Sequence, residues 1–332
     1  MIRRGALVKL AVIAVVTAVA TTLIAVLIPW LPDTASEQMD RIAFAYWFAT
    51  VISIAIFSIV FAVTVYAMLT FRAAPEDDSD GPHIHGHTGL EIAWTTIPAI
   101  LVIAVGVISA VVVSRNGDAG KDPLTVKVFA QQFAWRFEYP NDGGVKSNEL
   151  VLPVDRATRF EMTAADVIHS FWIPEMGQKQ DVLPGVTTKI VVTPNKTGEF
   201  AVVCTELCGL GHATMRAPVR VLSQADFAAW LEGQSAPSGP ADGASVFASA
   251  GCGGCHTFAP AGSDAQIGPA LDDLNAAAEQ AGQPLPDFVR ESIVDPGAFI
   301  AEGYAEGVMP ATFGESLTPE EINALVTYLT KE

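Results

Sequence analysis

Charged residues are scarce in this 332-residue chain, at 17% of the sequence against about a quarter in ordinary soluble domains. Basic residues are the scarcer kind, because 19 Lys and Arg stand against 36 Asp and Glu, for a formal net charge of −17. Such a chain lacks the basic surface that phosphate binding requires, so the composition argues against nucleic acid as a partner. Half of the residues are hydrophobic, which excludes a simple soluble enzyme.

Cysteine is also rare, with only four residues, and all four lie between Cys204 and Cys255 as two close pairs. Pairs at such short spacings are more typical of metal or cofactor attachment than of a disulfide framework. Histidine is limited to six residues.

Long hydrophobic runs are plentiful in the first 115 residues. Three of them contain no charged residue and have 19 or more residues, which is enough to cross the hydrocarbon core of a membrane as a helix. Within a membrane region of residues 1–120, the sequence predicts helices at residues 7–29, 43–71 and 91–114.

The first hydrophobic run has two interpretations. It follows Arg3, Arg4 and Lys9, as a cleaved signal peptide does, but it is long for one and no clear Ala-x-Ala site follows. A retained helix is the favoured interpretation. Topology hardly depends on the choice, because with this basic end inside both interpretations place everything after Asn116 outside.

The rest of the chain changes character twice. Residues 121–234 contain short β-branched runs separated by Pro, Gly and Asn, which predict an all-β Greek-key sandwich, closed by a helix that Ser223 caps. Residues 235–243 form a Gly/Pro/Ser linker. Residues 244–332 have a helical pattern, and from residue 236 onward fourteen acids and two bases give a net charge of −12. This acidic end suits a basic partner.

The first candidate metal site follows a predicted strand and reads Cys204-Thr-Glu-Leu-Cys208-Gly-Leu-Gly-His212-Ala-Thr-Met215. Thiolate, thioether and imidazole together select copper or zinc, and zinc sites seldom use Met. A second Cys four positions after the first can bridge two copper ions, and His169 can supply another imidazole. The alternative is a disulfide between Cys204 and Cys208 with Met215 in the core.

The same stretch resembles the cupredoxin domain of heme–copper oxidase subunit II, whose binuclear copper (CuA) centre has this order of ligands. The resemblance covers Ile42 to about Glu232. It includes Glu91-Ile-Ala-Trp94-Thr-Thr-Ile-Pro98, Asp166-Val-Ile-His169-Ser170, and Lys179-Gln-Asp181 before Pro184-Gly185.

The resemblance implies a role for each residue of the motif. Cys204 and Cys208 become bridging thiolates, and His169 and His212 become terminal ligands. Met215 is the weak thioether ligand. Glu206 contributes its backbone carbonyl, and its side chain meets a Mg ion that is shared with subunit I.

One position departs from the family pattern. The family commonly has an aromatic run whose first Trp receives electrons from soluble cytochrome c. Here the run is Gln132-Phe133-Ala-Trp135-Arg-Phe137-Glu-Tyr139, with Phe133 in place of that Trp. Trp135 either takes over the role or is a packed aromatic residue on a strand.

The second candidate site is Cys252-Gly-Gly-Cys255-His256, the attachment motif of c-type heme, in which His256 is the proximal ligand. Redox exchange and zinc binding also use Cys-x-x-Cys. Residues 267–271 resemble the proximal loop of class I cytochromes c, an all-α family. Met309 lies before the final helix, where that family places its distal ligand, and the alternative is a core methionine.

Two features near the expected inner membrane edge belong to neither candidate site. His83-Ile-His-Gly-His87 is interpreted as a polar interfacial loop, with metal binding as the weaker alternative. Glu91 is often only a capping or snorkelling acid at such a position. The family resemblance implies instead that Glu91 takes up protons on the inner side, toward subunit I.

The chain is thus expected to be subunit II of a cytochrome-c-fused heme–copper oxidase in a bacterial plasma membrane, with its soluble domains on the outer face. A basic cytochrome c or a bc complex would donate electrons to heme c, and copper would deliver them to subunit I, which would reduce dioxygen to water and pump protons. The dioxygen-reducing site is expected in that other chain, because only the loop histidines remain here beside His169, His212 and His256. One alternative is the same module in a nitric oxide reductase. Another is a membrane-tethered redox or copper protein without a large partner.

Overall fold

The computed structural model describes residues 4–72, 76, 81, 83, 85–235, 242–311 and 313–331. The chain divides into two compact units. The first contains Met1–Thr34 and Asp40–Asn116, and the second contains Ala35–Met39 and Gly117–Glu332.

The N-terminal region contains three long helices: α1 (Arg4–Leu27), α2 (Glu37–Thr70) and α3 (Thr88–Asn116). Each is long and apolar enough to cross a membrane. Most of their large apolar side chains are exposed, as expected where lipid replaces a protein core. Helices α2 and α3 begin six and three residues earlier than the sequence predicts, because a hydrophobic run marks the part in lipid and not the polar turn before it.

Two five-stranded sheets form the β-domain of the second unit. The first contains β1 (Leu124–Gln131), β2 (Ala134–Tyr139), β3 (Val145–Ser147), β5 (Thr158–Ala164) and β8 (Thr188–Val192), in the order β3-β2-β1-β5-β8. The second contains β4 (Leu150–Pro153), β6 (His169–Trp172), β7 (Lys179–Val182), β9 (Gly198–Cys204) and β10 (Arg216–Leu222), in the order β4-β10-β9-β6-β7. Both sheets contribute to one core, as the alternating burial of β1 and β5 requires.

A tyrosine joins the two sheets inside this core. The Tyr139 hydroxyl of β2 donates to the Val151 carbonyl oxygen at 2.9 Å and accepts from the Val151 N–H at 2.8 Å. Helix α4 (Gln224–Ser235) closes the domain and begins as predicted, with the Ser223 hydroxyl accepting from the Asp226 N–H.

The C-terminal region is helical around a core of its own. Its helices are α5 (Gly243–Ser249), α6 (Asn275–Ala281), α7 (Leu285–Val294), α8 (Phe313–Ser316) and α9 (Pro319–Leu329). A short hairpin of β11 (Thr257–Phe258) and β12 (Ser263–Asp264) supplements the predicted all-α pattern. Thr318 and Glu321 form a capping box at the start of α9. Within the predicted linker, residues 236–241 lie outside the described residues.

Candidate metal centre and heme pocket

Strand pairing brings the first candidate site together. His169 is the first residue of β6 and Cys204 the last of β9, and these strands pair with Phe171 opposite Cys204. The loop after Cys204 returns into β10, and the Cys204 N–H donates to the Met215 carbonyl at 3.1 Å. The loop therefore closes on itself, and residues far apart in sequence meet at one end of the second sheet.

The donor atoms of this site lie within a few ångström of one another. The two thiol sulfurs of Cys204 and Cys208 are 3.8 Å apart and form no disulfide, so the disulfide alternative is wrong. Cys204 Sγ lies 3.9 Å from His169 Nδ1 and 3.3 Å from the Glu206 carbonyl oxygen. Cys208 Sγ lies 3.5 Å from Nδ1 of His212, and 3.7 Å from the thioether sulfur of Met215.

A carboxylate orients one imidazole. Asp166 Oδ1 accepts a hydrogen bond from His169 Nε2 at 2.9 Å, so Nδ1 is the ring nitrogen that is directed at Cys204. Asp166 also accepts from the backbone N–H groups of Val167 and Gln132, each at 2.7 Å. These bonds lower the carboxyl pKa although burial alone would raise it. The same ion pair raises the pKa of His169 against the effect of its burial.

The two thiols have opposite acidities. Burial alone would raise the pKa of Cys204, but hydrogen bonds with His169 and the backbone of Ser170 and Glu206 lower it below its ordinary value. Burial, followed by repulsion from a Cys204 thiolate, raises the pKa of Cys208. One thiolate therefore forms readily, whereas a second needs a cation beside it, as in a metal site.

Both the type and the spacing of these donors suit copper. Ligands on a tetrahedral metal with bonds of about 2.0–2.3 Å are separated by about 3.3–3.8 Å, close to the separations found here. His169, Cys204 and Cys208 offer donor atoms that all lie within 4.8 Å of one another. Soft sulfur with imidazole matches copper, and Met215 counts against zinc.

Trp135 packs against the candidate copper site. Trp135 is buried on β2, and its ring meets those of His169 and Phe171 edge-on, with centroids 6.1 and 5.6 Å away. Phe133 lies against Gly209 and Gly211 of the loop between Cys204 and Met215, and it also lines the C-terminal cavity described next. Trp135 thus contacts His169, whereas Phe133 contacts the loop and the cavity.

A cavity of about 560 Å³ opens in the helical region, within the range of about 300–1,000 Å³ typical of cofactor pockets. Cys252, Cys255, His256 and Met309 all line it. The two cysteines are free thiols on a tight turn, in which the Cys255 and His256 N–H groups donate to the Cys252 carbonyl. Burial raises the pKa of both thiols, so neither resembles a reactive redox thiolate.

The imidazole of His256 is held from two sides. Its Nδ1 donates to the Pro269 carbonyl oxygen at 2.8 Å, which leaves Nε2 as a free donor to a metal. Gly268 lies against the ring, and a Cβ atom there would stand 2.6 Å from His256 Cε1. Burial lowers the pKa of His256, which favours the neutral imidazole that binds iron. These residues and the cavity fit a covalently attached heme.

The loop histidines and Glu91 make contacts of their own at the start of α3. Glu91 Oε1 accepts from the His87 N–H at 3.1 Å, and His87 Nδ1 accepts from the Leu90 N–H at 3.2 Å. These bonds cap the first turn of α3. His83 and His85 stack with ring centroids 6.3 Å apart. In the described residues, the detected metal-competent cluster is that of His169, Cys204 and Cys208.

Three residues support the two candidate sites in ways that the sequence does not predict: Asp166, Gly268 and Phe133. Asp166 belongs to the family motif, and a carboxylate three residues before a candidate ligand is a usable signal of its supporting role. Gly268 lies in the predicted proximal loop, but its close approach to the His256 ring follows only from folding. Phe133 packs against Gly209 and Gly211 of the loop Cys204–Met215, the copper loop, and no local pattern indicates that contact.

The sequence families that match the chain agree with this division. Residues 25–112 match cytochrome c oxidase subunit II, transmembrane domain. Residues 144–222 match cytochrome c oxidase subunit II, periplasmic domain. Residues 240–331 match cytochrome c. Membrane helices, a cupredoxin-like β-domain and a cytochrome c region thus follow one another in one chain.

Two relatives that match most of this chain are both named cytochrome c oxidase subunit 2. Cytochrome c oxidase subunit 2 of Alkalihalophilus pseudofirmus is 34% identical over 285 residues, which covers 82% of this chain and 81% of the relative. The Bacillus subtilis protein of that name is 30% identical over 80% of each chain. A crystal structure of the periplasmic domain of cytochrome oxidase subunit II from Bradyrhizobium japonicum is 34% identical, covers 35% of this chain and 96% of its own, and has a TM-score of 0.34. This chain belongs to the cytochrome c oxidase subunit II family, and it carries a cytochrome c domain at its C-terminal end.

Proposed function

We propose that this chain takes electrons from a cytochrome c donor at its C-terminal domain and passes them through its β-domain to subunit I. That partner subunit would reduce dioxygen to water and pump protons. When bound, heme c and binuclear copper supply two one-electron redox sites. The observation that carries the proposal is the presence, in one chain, of a buried sulfur and imidazole cluster and of a cavity lined by Cys-x-x-Cys-His.

Six residues are proposed to hold the copper. Their arrangement places two thiol sulfurs at the centre, with an imidazole and a further soft or carbonyl donor beside each. Asp166 would keep His169 in the required tautomer. The proposed ligands are Cys204, Cys208, His169, His212, Met215 and the Glu206 carbonyl.

Four residues are proposed to hold the heme. Cys252 and Cys255 would form the two thioether bonds, and His256 would bind the iron through Nε2. Met309 lines the same cavity and would be the second axial ligand. A His and Met pair raises the heme potential into a range suited to respiratory electron delivery.

The copper loop offers an apolar surface to a partner. Leu207 and Leu210 on this loop are 78% and 73% exposed, although leucine is usually buried. Val167 and Ile168, beside His169, are exposed as well. We expect these residues to face subunit I. The exposed side chain of Glu206 would then reach a Mg ion that is shared between the two subunits.

Acidic residues surround the heme cavity. Asp273, Glu302 and Glu306 line it and are exposed. Their charge would attract a basic cytochrome c or a bc complex, as the net charge of −12 in this region also suggests.

The membrane placement is proposed from charge and family together. Arg3 precedes α1, and Arg4 and Lys9 lie in its N-terminal turns; such residues normally stay on the cytoplasmic side. The β-domain would then lie outside a bacterial plasma membrane, which agrees with the word periplasmic in the name of its family. Glu91 is proposed to take up protons on the inner side, in addition to capping α3.

A cofactor count on the purified complex tests the proposal. A pyridine-hemochrome assay should give one heme c, and a copper determination should give two copper ions beyond those that the heme–copper subunit I contributes. The Cys252→Ser/Cys255→Ser variant should lose the heme c and keep both copper ions. A wild-type complex that contains no heme c, or no copper in this chain, would contradict the proposal.

A further inference from the structure

The heme-binding turn rests against the β-domain. Gly251, directly before Cys252, lies so close to Ala134 that a Cβ atom at residue 251 would stand 2.8 Å from the Ala134 Cβ. A Cβ atom at Gly254 would stand 3.6 Å from the Thr214 hydroxyl oxygen, so this residue also faces the β-domain, at an ordinary contact distance. Cys255 packs against the core of the β-domain. Small residues thus allow a backbone approach that side chains would prevent.

Phe133 separates the two candidate cofactor sites. It is only 7% exposed, and it lines the heme cavity. Its ring covers the copper loop, since a Cβ atom at Gly211 would stand 2.5 Å from Phe133 Cδ2 and one at Gly209 would stand 3.0 Å from Cζ. The Phe133 side chain therefore forms part of the cavity wall and also contacts the loop that carries Cys208 and His212.

Gln132, next to Phe133 in sequence, is hydrogen-bonded to both parts of the copper site. Its side-chain amide donates to the Cys208 carbonyl oxygen. Its backbone N–H donates to Asp166, whose other oxygen accepts from His169. A displacement of Gln132 would therefore also move Cys208, a proposed thiolate ligand, and would disturb the support of His169, a proposed imidazole ligand.

We propose that Gln132–Ala134 forms an internal docking face that is occupied by the chain's own heme-binding turn, Gly251–Cys255. This inference rests on the proposed function and adds the route between the two sites. The docking fixes the distance between the heme site and the copper site. One electron crosses that distance, the heme is oxidised and the copper is reduced, and no bond is formed or broken. It also covers Phe133, so an outside donor is expected to bind the heme domain and not the copper loop.

A steric change at the contact tests this proposal in the full purified complex. Gly251→Ala should push the heme-binding turn off Ala134. Hydrogen exchange should then increase in peptides that cover residues 131–135 and 208–215. Electron transfer from heme c to copper should slow by roughly tenfold, because a small misplacement is costly where rate depends on geometry. Adding Ala134→Gly to the same chain should restore both values.

Gly262→Ala is the matched control. Both glycines have left-handed backbone angles, with φ of 73° at residue 251 and 65° at residue 262, but nothing lies within 4 Å of a Cβ atom at Gly262. The control should therefore share the backbone strain of Gly251→Ala without its two interdomain effects. Equal effects of the two variants would overturn the proposal.

A second variant approaches the contact from the β-domain and leaves the heme attachment sequence intact. Ala134→Leu should raise hydrogen exchange in residues 249–256 while the heme c content stays at the wild-type level. Unchanged exchange there would also overturn the docking. A complex without heme c or copper would instead contradict the proposed function, and the exchange measurements would still report whether the turn occupies Gln132–Ala134.

Discussion

Asp166 Oδ1 lies 2.9 Å from Nε2 of His169, so the carboxylate holds the imidazole with its other nitrogen toward Cys204. Asp166 Oδ1 accepts from His169 and Oδ2 accepts from the Gln132 N–H, so the single oxygen of an asparagine in Asp166→Asn can serve only one of these donors and the negative charge is lost. We expect copper affinity to fall by about 10–100-fold, as is typical when such a supporting group is lost. Competition with a copper chelator measures the change.

Asp181→Asn is the control for this substitution. Asp181 is exposed and lies opposite Ser170 on the neighbouring strand, so the same chemical change is made close to the site without contact with His169. It should leave copper affinity unchanged. Equal losses in both variants would indicate a general effect of charge on the domain.

Cys208→Ser should abolish the near-infrared absorption of the copper centre. Cys208 is central to the cluster, since its sulfur lies within 4 Å of Cys204, His212 and Met215 donor atoms. The heme c spectrum should remain, because the helical region has a core of its own. Absorption spectra of the purified variant give both results, and loss of both signals together would contradict two separate centres.

Met309→Ala should lower the reduction potential of heme c by ~0.1 V or more, since axial ligands tune heme potentials over about 0.8 V. Redox titration of the heme bands measures the shift. Met162→Leu is a suitable control, because Met162 is buried in the core of the β-domain. An unchanged potential in Met309→Ala would mean that another residue binds the iron.

Gly268→Ala should displace the His256 ring, because the new methyl group would stand 2.6 Å from Cε1 and 2.8 Å from Nδ1. We expect less bound heme and a weaker iron–histidine bond, seen by hemochrome assay and resonance Raman spectroscopy. Gly297→Ala in the same domain would meet only Asp295 Oδ1, at an ordinary 3.5 Å. Normal heme binding in Gly268→Ala would show that the His256 ring is free to move.

Local sequence predicted the main elements of the fold and the segments in which the candidate donor residues lie. Hydrophobic runs located three helices long enough to cross a membrane, and Ser223 caps α4 as its position in the sequence predicts. The pairs of cysteines predicted two sites, and the structure brings Cys204 together with His169 across two strands. These features depend on short spacings or on a well-defined motif, so they can be derived from one sequence.

Contacts between distant segments could not be predicted in this way. Nothing in the sequence near Phe133 indicates that it covers Gly211, some 80 positions later, or that Gly251 rests on Ala134. Such contacts depend on how the sheets and the heme-binding turn pack, and no local pattern specifies that packing. The helix starts were also missed, because the polar first turns of α2 and α3 lie outside the apolar runs.

The order of reduction tests the central claim most directly. The purified complex is mixed without oxygen with a reduced basic cytochrome c, and the heme c and near-infrared copper bands are followed separately. The account predicts that heme c is reduced first and that copper follows at a rate set within the chain, independent of donor concentration. Copper reduced before heme c, or equally fast in a chain that lacks Cys252 and Cys255, would contradict it.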